Sequence, residues 1–325
     1  MPFRPDEVLF SPTTRCNLAC AHCDLPRTGP ALSRRLAERF LAGCEAAGVR
    51  KVGFTGGEPF LAPGFLAGVI AAAVREGLAF GRIMTNGVWW RSRRELERAL
   101  GRVAAAGYDG DLCVSVDAFH RQDLRKVALF IETAVASWRR PDVVSIAYVA
   151  GCREGLTRDR LRKLAAALGG RLRGFGTRHG SIEGGGVFAR LLPIALSAAG
   201  KAARLKRAWD GRWFKEDYCA GPGNVLFVLP DGSVKPCCGY ATGADRLTIG
   251  SIRRDTAVTI AGRARENRFV STVFKSGLGR IRQRLERSGF VFPGKTSDQC
   301  FLCHYLLTKV PGALLDRCLD GKGSL

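Results

Sequence analysis

Hydrophobic and polar positions follow two different periods along the first half of the chain. Short apolar runs predict strands at Glu7–Thr14, Lys51–Thr55, Gly81–Asn86, Asp111–Asp117, Asp142–Val149 and Arg171–Gly176. Between these runs apolar residues recur every three to four positions, as in Leu66, Val69, Ile70 and Val74, which predicts amphipathic helices. Alternating strands and helices predict a parallel sheet. Six such repeats are too few for a closed eight-stranded barrel, so we expect an α/β fold with an open, partial barrel.

The pattern changes after about residue 200. Apolar runs at Val225–Leu229 and Val234–Pro236 flank Asp231-Gly232, which predicts a β-hairpin with its turn at that dipeptide. A basic segment with helical pieces follows, and cysteines return at Cys300. We therefore predict two domains, a barrel over residues 1–200 and a small cysteine-rich α+β domain over residues 201–325.

Cysteine content and charge narrow the class of protein. The chain has 325 residues and 12 cysteines, and its amino terminus contains no apolar signal core. A secreted disulfide scaffold is therefore excluded, and we expect a cytoplasmic protein whose thiols bind metal or clusters. The net charge of +22 favours contact with anions, and residues 253–287 alone carry ten Lys or Arg against three acidic residues.

Cys16, Cys20 and Cys23 lie in the loop after the first predicted strand, with the spacing C-x3-C-x2-C. Loops at that end of a parallel barrel converge over its mouth, where catalytic groups lie. Three such thiolates can hold one cubane cluster and leave its fourth iron open to an amine and a carboxylate. The alternative is a structural zinc site completed by His22 or Cys152, but zinc sites usually pair cysteines as C-x2-C.

This motif resembles the C-x3-C-x-φ-C signature of the radical S-adenosylmethionine (SAM) superfamily, with His22 at the φ position. The resemblance implies a partial (β/α)6 TIM-type barrel, a 4Fe–4S cluster on Cys16, Cys20 and Cys23, and bound SAM. Gly56, Gly57, Glu58 and Pro59 resemble the family motif that holds the SAM amino group, and Thr85 and Asn86 end the strand that contacts SAM in this family.

Two further elements match the family in order along the chain. Ser115 and Asp117 alternate on the fourth strand and resemble its ribose-binding pair. Gly174–Gly176, at the end of the sixth predicted strand, is placed beneath the adenine. Arg153 is a candidate partner of the SAM carboxylate. The proton-transferring residue is not assigned, and the candidates on loops are His120, Arg153, Arg178 and His179.

A second set of cysteines follows in the carboxyl-terminal part. Cys219, Gly232 and Cys237 resemble the opening C-x(9–15)-G-x4-C of the SPASM and twitch families, which carry auxiliary clusters. With Cys300 and Cys303 they supply four thiolates for one auxiliary 4Fe–4S cluster in a twitch-like domain. Cys238 and Cys318 are unassigned, because Cys300, Cys303 and Cys318 also resemble the tail of molybdenum-cofactor cyclases, which would leave three ligands. A zinc ribbon built from the same cysteines is the remaining alternative.

The resemblance implies an oxidoreductase or maturase in which a 5′-deoxyadenosyl radical abstracts hydrogen from substrate, with an auxiliary cluster assisting a net oxidation. A one-electron donor such as flavodoxin or ferredoxin is implied as a partner, and no membrane. The substrate is a small metabolite or a peptide, and an anionic one would match the basic surface. Cyclisation by a molybdenum-cofactor type of reaction is an alternative, and a basic zinc protein that binds nucleic acid is a remote one.

Overall fold

The computed structural model describes residues 3–25, 29–215 and 224–320 of the chain. Its strands are β1 (Glu7–Phe10), β2 (Lys51–Phe54), β3 (Ala79–Thr85), β4 (Asp111–Ser115), β5 (Val144–Ala150), β6 (Gly170–Arg173), β7 (Ser181–Gly184), β8 (Val187–Ala195), β9 (Val225–Val228), β10 (Ser233–Lys235) and β11 (Gly250–Ser251). The described α-helices are α1 (Arg34–Leu41), α2 (Pro63–Arg75), α3 (Arg93–Ala105), α4 (Leu124–Trp138), α5 (Glu154–Ala167), α6 (Ala257–Glu266), α7 (Arg268–Arg287), α8 (Gln299–Thr308) and α9 (Gly312–Leu319). Single turns of 3-10 helix lie at Glu45–Ala47, Pro59–Leu61, Gly200–Arg204, Tyr240–Gly243 and Asp245–Leu247.

Six parallel strands form the barrel part of one open sheet, in the order β1-β2-β3-β4-β5-β8, and β9 extends the sheet beyond β1. One face of each strand is buried against the helices, as with Val8 and Phe10 of β1 and Leu112 and Val114 of β4. The alternate residues face the inside of the barrel, because side chains on a strand point to opposite faces. The predicted partial (β/α)6 barrel is confirmed.

The identity of the sixth parallel strand differs from the prediction, which placed it at Arg171–Gly176. The edge strand β6 lies there and pairs antiparallel with β7, which in turn pairs antiparallel with β8. Gly184, Gly185 and Gly186 all adopt positive φ and turn the chain back from β7 into β8. The sixth barrel strand is therefore β8, and Gly174–Gly176 follows the outermost strand of the sheet.

The carboxyl-terminal strands continue the same sheet from its other end. β9 pairs in parallel with β1, and β10 returns antiparallel beside β9, so the predicted hairpin is confirmed. Its turn contains Gly232 at φ 88°, and the Asp231 carboxylate accepts the Ser233 N–H at 2.9 Å. The domain boundary near residue 200 stays a prediction. No described helix has both the length and the apolar composition of a membrane span.

Candidate functional site

The cysteine loop lies at the carboxyl end of β1, where Cys16, Cys20 and Cys23 are all partly buried. The N–H of Leu18 donates to Cys16 Sγ at 3.4 Å, and the Asn86 amide approaches the same sulfur at 3.7 Å. Burial raises the pKa of the Cys16 thiol. Hydrogen-bond donors around a sulfur are the means by which a protein tunes a bound cluster.

Gly56 and Gly57 allow the end of β2 to pack directly on the backbone of the cysteine loop. The Gly57 N–H donates to Thr13 O at 2.9 Å, and the Glu58 N–H donates to Arg15 O at 2.8 Å. A Cβ at Gly57 would lie 2.6 Å from Thr14 O and would overlap the carbonyl of Arg15. A side chain here would displace the loop, so glycine is required.

Glu58 is completely buried and joins the ends of β2 and β3. Its carboxylate accepts hydrogen bonds from Thr85 Oγ1 at 2.9 Å, from the Asn86 N–H at 2.8 Å and from the Phe60 N–H at 3.1 Å. Pro59 begins the 3-10 turn that Glu58 caps. The Glu58 carboxylate therefore joins Thr85 and Asn86 to the motif assigned to the SAM amino group, and contact with the ammonium itself stays a prediction.

The stability of the cluster-free protein is expected to depend on Glu58 and pH. Burial raises the pKa of Glu58 from 4.5 to about 7, so the folded chain holds a proton that the unfolded chain has already released. Stability is then greatest below the unfolded pKa and falls as pH rises, by about 3 kcal/mol between about pH 4.5 and about pH 7. Urea unfolding across this range should show the slope in the wild type and not in Glu58→Gln. The exposed Glu97→Gln variant is the control, and an unchanged slope in Glu58→Gln would contradict the assignment.

Asn86 connects three loops at the mouth of the barrel. Its amide donates to Asn17 Oδ1 at 2.8 Å, and its carbonyl accepts a hydrogen bond from Gln122 Nε2 at 3.1 Å. The same Gln122 nitrogen also donates to the carbonyl of Ser115. Sequence reasoning missed Asn17 and Gln122. Asn17 could have been found from its place inside the cysteine motif, whereas Gln122 carries no signal in its spacing.

Asp117 is buried and organises the loop after β4. Its Oδ1 accepts the Phe119 N–H at 2.8 Å and faces His120 Nδ1 at 2.8 Å, while Oδ2 accepts the Val149 N–H at 3.3 Å. Burial alone would raise the pKa of Asp117, but the hydrogen bond and charge of His120 outweigh it and the pKa is lowered. His120, a candidate proton carrier, is thus paired with a predicted ribose-binding residue.

His22 stands against the same loop, 5.3 Å from the Phe119 ring and 5.1 Å from the His120 ring between centroids. Its Nδ1 is buried and has no hydrogen-bond partner in the described part of the chain. Arg153, at φ 52°, reaches the Phe119 ring with its guanidinium carbon 5.4 Å from the centroid. The loops after β1, β4 and β5 therefore meet here. Arg178 and His179 are exposed in the loop after β6.

The auxiliary cysteines lie on two elements that meet. A Cβ at Gly239 would lie 3.5 Å from Cys300 Sγ and 3.9 Å from Cys237 Sγ, so both sulfurs flank the same glycine. Cys303 follows Cys300 by one turn of α8 and shares its face. Cys219 lies outside the described residues.

Cys318 packs elsewhere, in the apolar core at 1% exposure, with its sulfur 3.7 Å from Ser288 Oγ. Cys44 and Cys113 are buried in the barrel half. Over residues 3–25, 29–215 and 224–320, no three Cys, His, Asp or Glu side chains converge on one ion-sized point. A cubane is bound by one thiolate per iron, so its ligands stand further apart than those of a single ion.

A cavity of about 1400 Å³ runs through the barrel, and residues next to both cysteine sets line it. His22 and Gly56 line it beside the first set, and Cys238, Gly239 and His304 line it beside the second. A molecule inside this cavity would therefore lie between the two groups of thiols.

Comparison with known proteins agrees with this arrangement. Residues 10–138 match the radical SAM superfamily, and residues 219–283 match the SPASM iron–sulfur cluster-binding domain. A GTP 3′,8-cyclase of Chlorobaculum tepidum is 33% identical over 38% of this chain, and a probable GTP 3′,8-cyclase of Methanopyrus kandleri is 36% identical over 46%. The chain spans only 36% and 44% of the length of these two proteins.

The fold is also found among solved structures. Native anSMEcpe with bound AdoMet and Cp18Cys peptide aligns with a TM-score of 0.57 over 98% of both chains, at 13% identity. Radical SAM and SPASM domains use 4Fe–4S clusters and SAM, and the glycine cradle, the cysteine loop and the paired Cys237 and Cys300 fit those groups. The chain is therefore a radical SAM enzyme with a carboxyl-terminal SPASM-type iron–sulfur cluster-binding domain.

Proposed function

We propose that this enzyme oxidises a small metabolite held in the barrel cavity, with one cluster on Cys16, Cys20 and Cys23 and an auxiliary cluster on Cys219, Cys237, Cys300 and Cys303. When bound, SAM and the first cluster supply the 5′-deoxyadenosyl radical that abstracts a hydrogen atom, and the auxiliary cluster supplies an acceptor for the second electron of the oxidation. The observation that carries the proposal is one cavity lined by residues that neighbour both cysteine sets, His22 beside the first and Gly239 beside the second.

The residues at the mouth position SAM in this proposal. Gly56, Gly57 and Glu58 hold its amino end. Thr85 and Asn86 fix Glu58 and the Cys16 sulfur through the hydrogen bonds described above. Because these donors and acceptors are already held by the fold, little has to move when SAM binds.

Ser115 and Asp117 are assigned to the ribose, Arg153 to the SAM carboxylate and His22 to the wall beside the cluster. Phe119 supports this side, since both His22 and Arg153 pack on its ring. His120, held by the Asp117 carboxylate, is the candidate for moving a proton at the mouth.

A peptide substrate with an acidic leader is the second candidate, since the solved relative named above contains a bound peptide. The basic stretch from Arg253 to Arg287 gives it little support. Seven of its ten cationic side chains contact groups within the chain, namely Arg253, Arg254, Arg263, Arg265, Arg268, Arg282 and Arg284. Most of these cations are therefore already paired within the chain and are less available to an acidic peptide.

Cyclisation of a nucleotide is supported by the two cyclase relatives, which match 126 and 153 residues of the chain. In the cyclase type of carboxyl-terminal tail, Cys318 would be the third cluster ligand beside Cys300 and Cys303. Cys318 is buried in the apolar core beside Ser288, which favours the four-thiolate arrangement instead. We further propose a flavodoxin or ferredoxin as the electron donor and a cytoplasmic location, where thiols stay reduced.

The test is anaerobic reconstitution followed by reduction with dithionite in the presence of SAM. We expect about eight irons and eight sulfides per chain, and release of 5′-deoxyadenosine and methionine. Stoichiometric zinc in place of iron, or iron without SAM cleavage, would contradict the proposal.

A further inference from the structure

The inside of the barrel carries charge where barrels are usually filled by branched apolar side chains. We call this group the polar belt. It comprises Glu7, Arg82, Asp111, Ser145 and Arg190, from strands β1, β3, β4, β5 and β8. Each alternates with a residue buried against the helices, such as Val8, Leu112 or Leu191, so the belt faces inward. All but Ser145 line the large cavity.

One side of the polar belt is partly paired. Arg82 Nε lies 3.3 Å from Asp111 Oδ2, and Ser145 Oγ donates to the same oxygen at 2.7 Å. The other oxygen, Asp111 Oδ1, is buried and accepts no hydrogen bond from the described residues. An unsatisfied buried acceptor costs about 1–3 kcal/mol, so this atom is available to a donor in the cavity.

Glu7 offers a second acceptor. Its carboxylate lies over Gly53 and Gly81, where a Cβ on either glycine would overlap Glu7 Oε1. The neighbouring cations are engaged elsewhere, Lys51 with Asp6 at 2.8 Å and Arg82 with Asp111. No described residue donates a hydrogen bond to the Glu7 carboxylate. Burial raises the pKa of Glu7, as expected for a carboxyl group with little solvent around it.

Arg190 lies on the last parallel strand, in register with Ser145 of β5. Its guanidinium lines the cavity and forms no ion pair or hydrogen bond with the chain over the described ranges. Two carboxylates and two guanidinium groups make the charge of the belt zero, so the belt does not favour a polyanion. It favours a molecule with separate positive and negative ends.

We propose that the polar belt binds the substrate as a zwitterion, with an ammonium group on Glu7 and Asp111 and a carboxylate on Arg190. Guanidinium and carboxylate groups match in a two-bond fork, and an ammonium group supplies the donors that the two acidic side chains lack. This inference rests on the proposed function and names its substrate class as an amino-acid-like small molecule.

The test uses the reconstituted enzyme with SAM and three probes of equal length, namely aminohexanoate, hexylammonium and hexanoate, measured by ligand-observed NMR titration. We expect the zwitterion to bind about tenfold more tightly than either singly charged probe, since each charged contact contributes about a factor of ten. Glu7→Gln should abolish the preference over hexanoate, and Arg190→Met the preference over hexylammonium.

A change of length provides a second readout. In a series of terminal amino acids of increasing chain length, Glu7→Asp should move the optimum to a probe one methylene longer. Glu97→Gln and Arg162→Met, on exposed helix faces, are matched controls that should bind like the wild type. Equal binding of the three probes, or an unchanged preference in both belt variants, would overturn the proposal. SAM cleavage in the same samples reports separately on the proposed function.

Discussion

Replacing Cys16, Cys20 and Cys23 together by alanine is expected to lower the iron content from about eight to about four per chain and to abolish 5′-deoxyadenosine formation. The three thiolates are the only ligands proposed for the first cluster, and an empty loop leaves no iron for SAM. The remaining iron would belong to the carboxyl-terminal set, because Cys237 and Cys300 meet at Gly239 and belong to elements other than the loop after β1. Iron and sulfide assays with product analysis provide the measurement.

Two single-cysteine variants test whether the loss of iron is specific to the first cysteine set. Cys44→Ala removes a fully buried thiol whose pKa burial raises to about 12, and both iron content and SAM cleavage should stay at wild-type levels. Cys318→Ala should also keep its iron, because Cys318 packs in the core beside Ser288. Loss of iron in Cys318→Ala would support the cyclase type of tail, and loss of all iron in the triple variant would argue against two independent clusters.

Local sequence patterns predicted the strands that are uninterrupted apolar runs. β1 to β5 are apolar runs between turns, and the cysteine loop and Gly56-Gly57 follow β1 and β2 where expected. β8 was missed because Arg190, whose side chain faces the cavity, interrupts its apolar run. From its sequence, a strand that lines a cavity resembles a polar surface segment, because the hydrophobic period does not distinguish a cavity from bulk solvent.

The connections within the site were harder to predict than its members. Glu58 and Asn86 are both predicted site residues, yet the hydrogen bond between them joins residues 28 positions apart. Gln122 bonds to the carbonyls of Asn86 and Ser115, and no local pattern marks a residue that acts through backbone groups. The burial of Cys318 could have been predicted, because Cys318 lies three residues after Leu315 and so shares its apolar helix face.

Asp298 is the position where one substitution should remove the auxiliary site without touching the first. Its Oδ1 caps α8, the helix that carries Cys300 and Cys303, by accepting the Phe301 N–H at 2.9 Å. Its Oδ2 accepts the Ala198 N–H at 2.8 Å and lies 3.2 Å from Lys206 Nζ. The side chain is 7% exposed, so a buried carboxylate fastens the cysteine helix to the segment after β8.

Asp298→Ala is expected to lower the free energy of unfolding by about 2–4 kcal/mol, because it removes the cap of α8 and leaves the partly buried Lys206 without its carboxylate partner. About four irons should be lost with it, while 5′-deoxyadenosine formation continues. Asp123→Ala is the matched control, because Asp123 caps α4 through the Arg125 N–H but is exposed, and its loss should cost about 1 kcal/mol and no iron. Denaturant unfolding and iron assays of both variants decide the matter. Equal destabilisation with full iron in both would mean that the helix of Cys300 and Cys303 is held by its apolar contacts, such as Trp209 on Phe301, and not by Asp298.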